Sequence, residues 1–190
     1  MFKASCQGTV RDKTRFQHLI IDRFMEIFMK KLKEEDERQG EDGRILAITE
    51  RSLRTNVEIF IEREVELGNV DEIDGALLSW KSRAFHDLII RQYKMSVLYV
   101  YLKSSPDKCL ERIRSRGRPE EQTIHLEHLE ELHTRHERLY RRLEAEDEKT
   151  LILNVDRLTY PDRPKDEEIM ISVIVDEIRK FMDRHRYTVA

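Results

Sequence analysis

Between Arg112 and Arg118 the chain sets down four arginines in seven residues, Arg112, Arg114, Arg116 and Arg118, and the carboxylates of Glu120 and Glu121 follow at once. A guanidinium fork grips two phosphate oxygens side by side, so arginine at this density suits a phosphorylated ligand. Gly117 and Pro119 interrupt the helical pattern, which sets Arg116 and Arg118 on a turn or mobile loop. A hinged arginine pair of this kind is the chemistry of a lid closing over phosphate. The competing reading is a solvated charge run, in a chain whose residues are 38% charged.

Four further groups have side chains that could handle a ligand. Glu50-Arg51-Ser52 closes a short apolar run, and the carboxyl end of a buried strand is where open α/β sheets carry out ligand chemistry; a surface salt bridge is the plainer alternative. Gln17 lies on the flank of an apolar helical face, and its amide offers both a donor and an acceptor to a nucleobase edge; otherwise it is simply exposed. Asn56 and Phe60 are four apart and share a helix face, although Phe60 alone could equally be core. His125, His128, His133 and His136 invite a zinc reading, but no cysteine lies near and acids alternate among them, as on a solvated helix.

The elements that must hold these groups are helices and short buried strands. Lys13 to Lys31 predicts a helix buried through Phe16, Leu19, Ile20, Phe24, Ile27 and Phe28, with a frayed end and surface loop from Lys30 to Arg44. Arg44 to Thr49, Met95 to Lys103 and Thr150 to Val155 read as three buried parallel strands. Helices are expected at Ser52 to Leu67, at Asp71 to Tyr93 through Leu77, Leu78, Trp80, Phe85, Leu88 and Ile89, after the Ser105 cap and Pro106, along Leu126 to Leu143, and at Ile169 to His185.

A chain of 190 residues is read as one domain with a substantial core. A formal net charge of −3 argues against a general nucleic-acid binder. No apolar run approaches the roughly 20 residues of a membrane span, and the first residues lack a signal-peptide core. Cys6 and Cys109, few and far apart, suit a reducing compartment, so the expected location is cytoplasmic.

The run Arg116-Gly117-Arg118-Pro119-Glu120-Glu121-Gln122, with Leu126-Glu127-His128-Leu129-Glu130-Glu131-Leu132-His133 and His136-Glu137 behind it, resembles the lid and following helix of the deoxyribonucleoside kinases. Phe16-Gln17 and Glu50-Arg51-Ser52 are similar to two other motifs of that family. The resemblance covers almost the whole chain and implies a P-loop-kinase-like, three-layer α/β fold, a parallel sheet among helices. It also implies transfer of the γ-phosphoryl of ATP to a deoxynucleoside 5′-hydroxyl. Under it Gln17, Asn56 and Phe60 read the base, and Glu121 binds the sugar 3′-hydroxyl. Glu50 and Arg51 are the catalytic pair, with Glu50 near Mg2+ through water, and Arg112, Arg116 and Arg118 clamp phosphate. The loop from Asp156 to Lys165 approaches the donor adenine. A homodimer is implied, with the first helix and the helix from Asp71 as contacts. Asn56 stands where the family often has aspartate or alanine, which leaves base preference open.

The family's opening strand, its Gly-x-x-Gly-x-Gly-Lys-Ser/Thr loop and its second strand with a catalytic glutamate have no counterpart here. That first strand would lie between the strands at Ile45 and Val97, and its loss would leave two unpaired edges. The expectation is therefore an incomplete reading frame, with a mitochondrial leader an option upstream of Met1. The alternative is a catalytically inactive, kinase-like binding or scaffold protein.

Overall fold

The computed structural model describes residues 9–39, 47–156 and 164–184. The chain divides into two compact units, Met1–Lys94 and Met95–Ala190.

The first unit is helical. Its helix α1 (Val10–Gln39) begins with a reciprocal cap: the Thr9 N–H donates to the Asp12 carboxylate at 3.1 Å and the Asp12 N–H donates to Thr9 Oγ1 at 3.3 Å. The helix runs well past Lys31, correcting the expected frayed end. Its polar half carries Arg23–Glu26, Lys30–Glu34, Lys33–Glu37 and Glu35–Arg38 ion pairs at helical spacing, each of which favours helix slightly, and Leu32 is buried within it. The buried face is also turned from the expected one. Ile21 is buried and Phe24, Met25, Phe28 and Met29 pack on the cores, whereas Leu19 and Ile27 are exposed.

Helix α2 is built of α-helical turns at Leu53–Thr55 and Glu62–Glu66 around a π-helical stretch, Asn56–Ile61. Ser52 caps it, its hydroxyl accepting from the Thr55 N–H at 3.0 Å. Helix α3 (Glu72–Tyr93) is capped by Asp71 and ends at Lys94 in the left-handed region. Val57, Ile61, Val70 and Leu78 join Ile21 in one apolar cluster, and Leu53, Phe85 and Ile89 form a second. The inner face of α3 is therefore Leu78, Phe85 and Ile89, while Leu77, Trp80 and Leu88 of the expected apolar set are exposed.

The second unit holds two parallel strands, β1 (Tyr99–Lys103) and β2 (Thr150–Asn154), in register from Tyr99↔Thr150 to Lys103↔Asn154. Both are shorter than expected, because Met95 to Leu98 and Val155 make no ladder pairing. Of the third expected strand, residues 44–46 lie outside the described residues and Ala47 to Thr49 are not in a strand; the described sheet is two-stranded. The crossover consists of α4 (Pro106–Arg116), a 3-10 turn (Pro119–Glu121) and α5 (Leu126–Ala145). Tyr101 stacks on Tyr140 at 4.6 Å and on His136 at 5.6 Å, which seats α5 on β1, beside the buried Leu139 and Leu143. Helix α6 (Pro164–Arg184) closes the described chain. No helix of the described residues is long and apolar enough to cross a membrane.

Candidate functional site

In the first unit the turn at Glu50-Arg51 leads into α2, and both residues are exposed. The Arg51 guanidinium lies over the Phe60 ring, 4.3 Å from its centroid, a cation–π contact that orients both groups. Phe60 is half-buried, so the ring is not spent wholly on the core. One turn earlier Asn56 is buried, and its Nδ2 has no hydrogen-bond partner among the described residues. Buried amide donors are nearly always satisfied, and an unsatisfied one marks a place where a ligand acceptor or water completes the set. The π-helical winding runs through Asn56 and Phe60, and such local widening occurs often at functional sites. Arg54 and Glu58 pair at 3.1 Å on the same helix. Gln17 is half-buried on α1.

In the second unit the arginine run splits into two kinds. Arg112, within α4, donates from Nη1 to Ser104 Oγ at 2.9 Å and from Nη2 to the Val155 carbonyl at 2.5 Å, so it is tied to the ends of the two strands. Arg114 is exposed on the helix. Gly117 ends α4 with φ +68, the left-handed conformation that glycine adopts without strain, and Arg118 follows in extended backbone. The Glu121 carboxylate collects the pair on either side of that hinge: Arg116 donates to it from Nη2 at 2.7 Å and Nε at 3.1 Å, and Arg118 Nη1 lies 3.5 Å away. Arg116 and Arg118 are about half exposed while Glu121 is largely covered. Two of the arginines expected to clamp phosphate and the carboxylate expected to bind the sugar thus form one cluster of ion pairs.

In the same unit Lys103 donates to Glu137 at 2.8 Å, and this bond holds the Glu137 carboxyl below the usual range. The same lysine-bound carboxylate and burial raise the Tyr101 phenol, burial first. Asp156 accepts from the Ser105 N–H at 2.7 Å and the Ser104 hydroxyl at 2.8 Å, bonds that lower its pKa, the backbone bond most. Ser105 stands at the cap position of α4 but makes no side-chain cap; Asp156 does that work from 51 residues away. No local signal announces such a partner, and the sequence marks Asp156 only as the start of a loop. Residues 157–163 of that loop lie outside the described residues. Among the described residues no group of three or more metal-ligating side chains gathers; His128, His133 and His136 are half-buried on α5, His136 against Tyr101.

Residues 14–183 match the family "Deoxynucleoside kinase". The chain is 32% identical over 140 residues to deoxycytidine kinase 2 of Gallus gallus, covering 70% of this chain and 51% of that protein. It is 38% identical over 91 residues to the mitochondrial thymidine kinase 2 of Homo sapiens, covering 47% of this chain and 33% of that one. The chain thus spans about half, or less, of the length of these curated relatives. A solved structure of deoxyadenosine kinase from M. mycoides with bound dCTP matches with a TM-score of 0.62 at 21% identity, over 94% of this chain and 79% of that one, a likeness of fold: the helix-rich P-loop kinase fold with a parallel sheet. With a family match across most of its length, this chain belongs to the deoxynucleoside kinase family.

Proposed function

We propose that the chain serves deoxyribonucleoside kinase chemistry, the transfer of the γ-phosphoryl of ATP to the 5′-hydroxyl of a deoxynucleoside in nucleotide salvage. The observation that carries this reading is the Arg51 guanidinium set over the Phe60 ring, one helical turn after the buried Asn56, whose Nδ2 has no hydrogen-bond partner among the described residues. An aromatic face, an orphaned donor and a cation together suit a nucleobase with a phosphate-bearing partner. In this reading Gln17 and Asn56 hydrogen-bond the base edge, Phe60 packs on its face, and Arg51 faces the acceptor oxygen. Arg116 and Arg118 exchange Glu121 for donor phosphates, which frees that carboxylate to accept the sugar 3′-hydroxyl. Phosphoryl transfer is mostly positioning and charge neutralisation, and these side chains supply both on the acceptor side.

The family implies Mg2+. A lone exposed carboxylate, Glu50, fits an ion that keeps several waters and takes its other ligands from substrate phosphates. Glu50 would hold it through water, and the ion would neutralise phosphate charge. The partners are a deoxynucleoside, a nucleoside triphosphate and a second copy of the chain. The copy is suggested by the exposed stripe Ile73, Leu77, Trp80 and Leu88 on α3, too much apolar surface at helical spacing for a face meant for water. The compartment in this reading is the cytoplasm, with mitochondria the alternative.

Calorimetric titration of the chain with the four deoxynucleosides tests the proposal. Wild-type protein is expected to distinguish among bases, and Gln17→Leu to lose the distinction at a cost of roughly 1–3 kcal/mol to the preferred base with the fold unchanged. Absence of binding to all four by the wild-type chain refutes the reading, and unchanged affinities in Gln17→Leu remove that residue from the site.

A further inference from the structure

The Ser104 hydroxyl has one proton and two lone pairs, and its neighbours dictate their use. Asp156 can only accept at neutral pH, so it takes the proton at 2.8 Å, and the lone pairs then face Arg112 Nη1 at 2.9 Å. Ser104 is buried, which makes this polarity costly to reverse. The Asp156 carboxylate also holds the Ser105 N–H, at the first turn of the helix on which Arg112 is carried. Arg112 Nη2 is fixed independently by the Val155 carbonyl, one residue from Asp156. Two strand ends, a helix start and a guanidinium are therefore locked together at the carboxyl edge of a parallel sheet, where α/β folds present ligand-binding groups.

We infer that Asp156 is a positioning residue that acts through Ser104 to hold Arg112 as a fixed phosphate anchor, in contrast to the exchangeable Arg116 and Arg118. The inference rests on the kinase reading above and extends it to Asp156, which that reading includes only as the first residue of the Asp156–Lys165 loop. Division of labour follows: the fixed guanidinium defines where phosphate sits, and Arg116 on α4 and Arg118 beyond the Gly117 hinge exchange Glu121 for it. A planar fork loses its value if it can swing, since bidentate contact needs a set orientation.

The experiment is calorimetry of the full chain with inorganic tripolyphosphate and, separately, with a deoxynucleoside. Asp156→Ala is expected to weaken tripolyphosphate binding about fivefold to tenfold and to leave deoxynucleoside affinity unchanged. Asp156→Asn, whose carbonyl oxygen still accepts both bonds, is expected to restore binding to within about threefold of wild type. Arg112→Ala and the Arg112→Ala/Asp156→Ala double variant should bind tripolyphosphate equally, because the second change removes a support with nothing left to support. If Asp156→Ala does not fold, Ser104→Ala makes the same test with one hydroxyl deleted. Unchanged tripolyphosphate affinity in Asp156→Ala, additive losses in the double variant, or equal losses for both ligands each overturn the inference while leaving the kinase reading standing. Failure of the wild-type chain to bind either ligand overturns both.

Discussion

Gly75 fixes how closely α3 approaches α2, and replacing it with alanine tests whether that approach is as tight as it looks. A Cβ at this position would lie 2.3 Å from Val65 Cγ2, with Val65 Cβ and Cγ1 at 3.7 and 3.9 Å. Carbon atoms at rest sit roughly 3.5–4.0 Å apart, so the first contact falls short by more than about 1 Å. Val65 cannot bend away as a lysine would, because a β-branched side chain in a helix is nearly confined to one rotamer. Overpacking of this kind costs about 1–3 kcal/mol, while the change from glycine to alanine inside a helix returns about 1 kcal/mol. The balance is a net loss of about 1 kcal/mol. Urea unfolding followed by the fluorescence of Trp80, the sole tryptophan and itself on α3, should show a midpoint lowered by roughly 0.3–1 M at ordinary slopes. Val65→Ala should abolish the penalty in the double variant, with a coupling of about 1–2 kcal/mol. A raised midpoint in Gly75→Ala, or a cycle without coupling, would mean that helix propensity outweighs the clash and that this contact does not set the seat of the Asn56–Phe60 face.

The lid arginines should separate by position. Arg118→Ala is expected to weaken tripolyphosphate binding about tenfold, near 1.4 kcal/mol, and Arg114→Ala less than about twofold; equal losses in calorimetry count against the lid. Glu137 makes the acid limb specific: its carboxyl is held low by Lys103 first, so the stabilisation is complete above the ordinary carboxylate range and fades as pH falls through the depressed folded value. The melting temperature of the wild type should therefore drop more steeply than that of Glu137→Gln between about pH 6 and pH 3, and parallel curves would refute the assignment. Trp80→Glu puts a charge in the exposed α3 stripe and should leave a monomer in sedimentation where the wild type sediments as a dimer; a monomeric wild type removes the proposed second copy.

What the sequence disclosed was mainly local chemistry. Pro106 opening a helix, Gly117 closing it in the left-handed region and Asp71 standing at a helix start all lie where residue type alone puts them, since caps and turns are decided by a few neighbouring atoms. The family and the fold were legible in the run from Arg116 to His133. Contacts made across the chain were not. Nothing in Glu50-Arg51-Ser52 says that the guanidinium will lie on a ring nine residues on, and nothing in Ser104-Ser105 asks for a carboxylate at Asp156. The length of α1 was missed because its polar half looks like a loop by composition, although its charges pair at helical spacing. The exposure of Leu19, Ile27 and Trp80 was missed because periodicity selects a stripe but not which of two adjacent stripes meets the neighbouring helix.

The wide winding at Asn56–Ile61 carries a consequence for anyone seeking a hardier protein. Such a stretch holds one residue more than an α-helix needs, and a single deletion between Val57 and Ile59 would let the segment relax into the commoner geometry with better hydrogen bonds. Thermal tolerance would gain. The amide and the ring would then be three apart instead of four, facing in different directions from the present pair, and the candidate ligand face would be traded for robustness. Selection for heat resistance alone would thus favour shortening this helix, and selection for ligand capture would keep the extra residue in place.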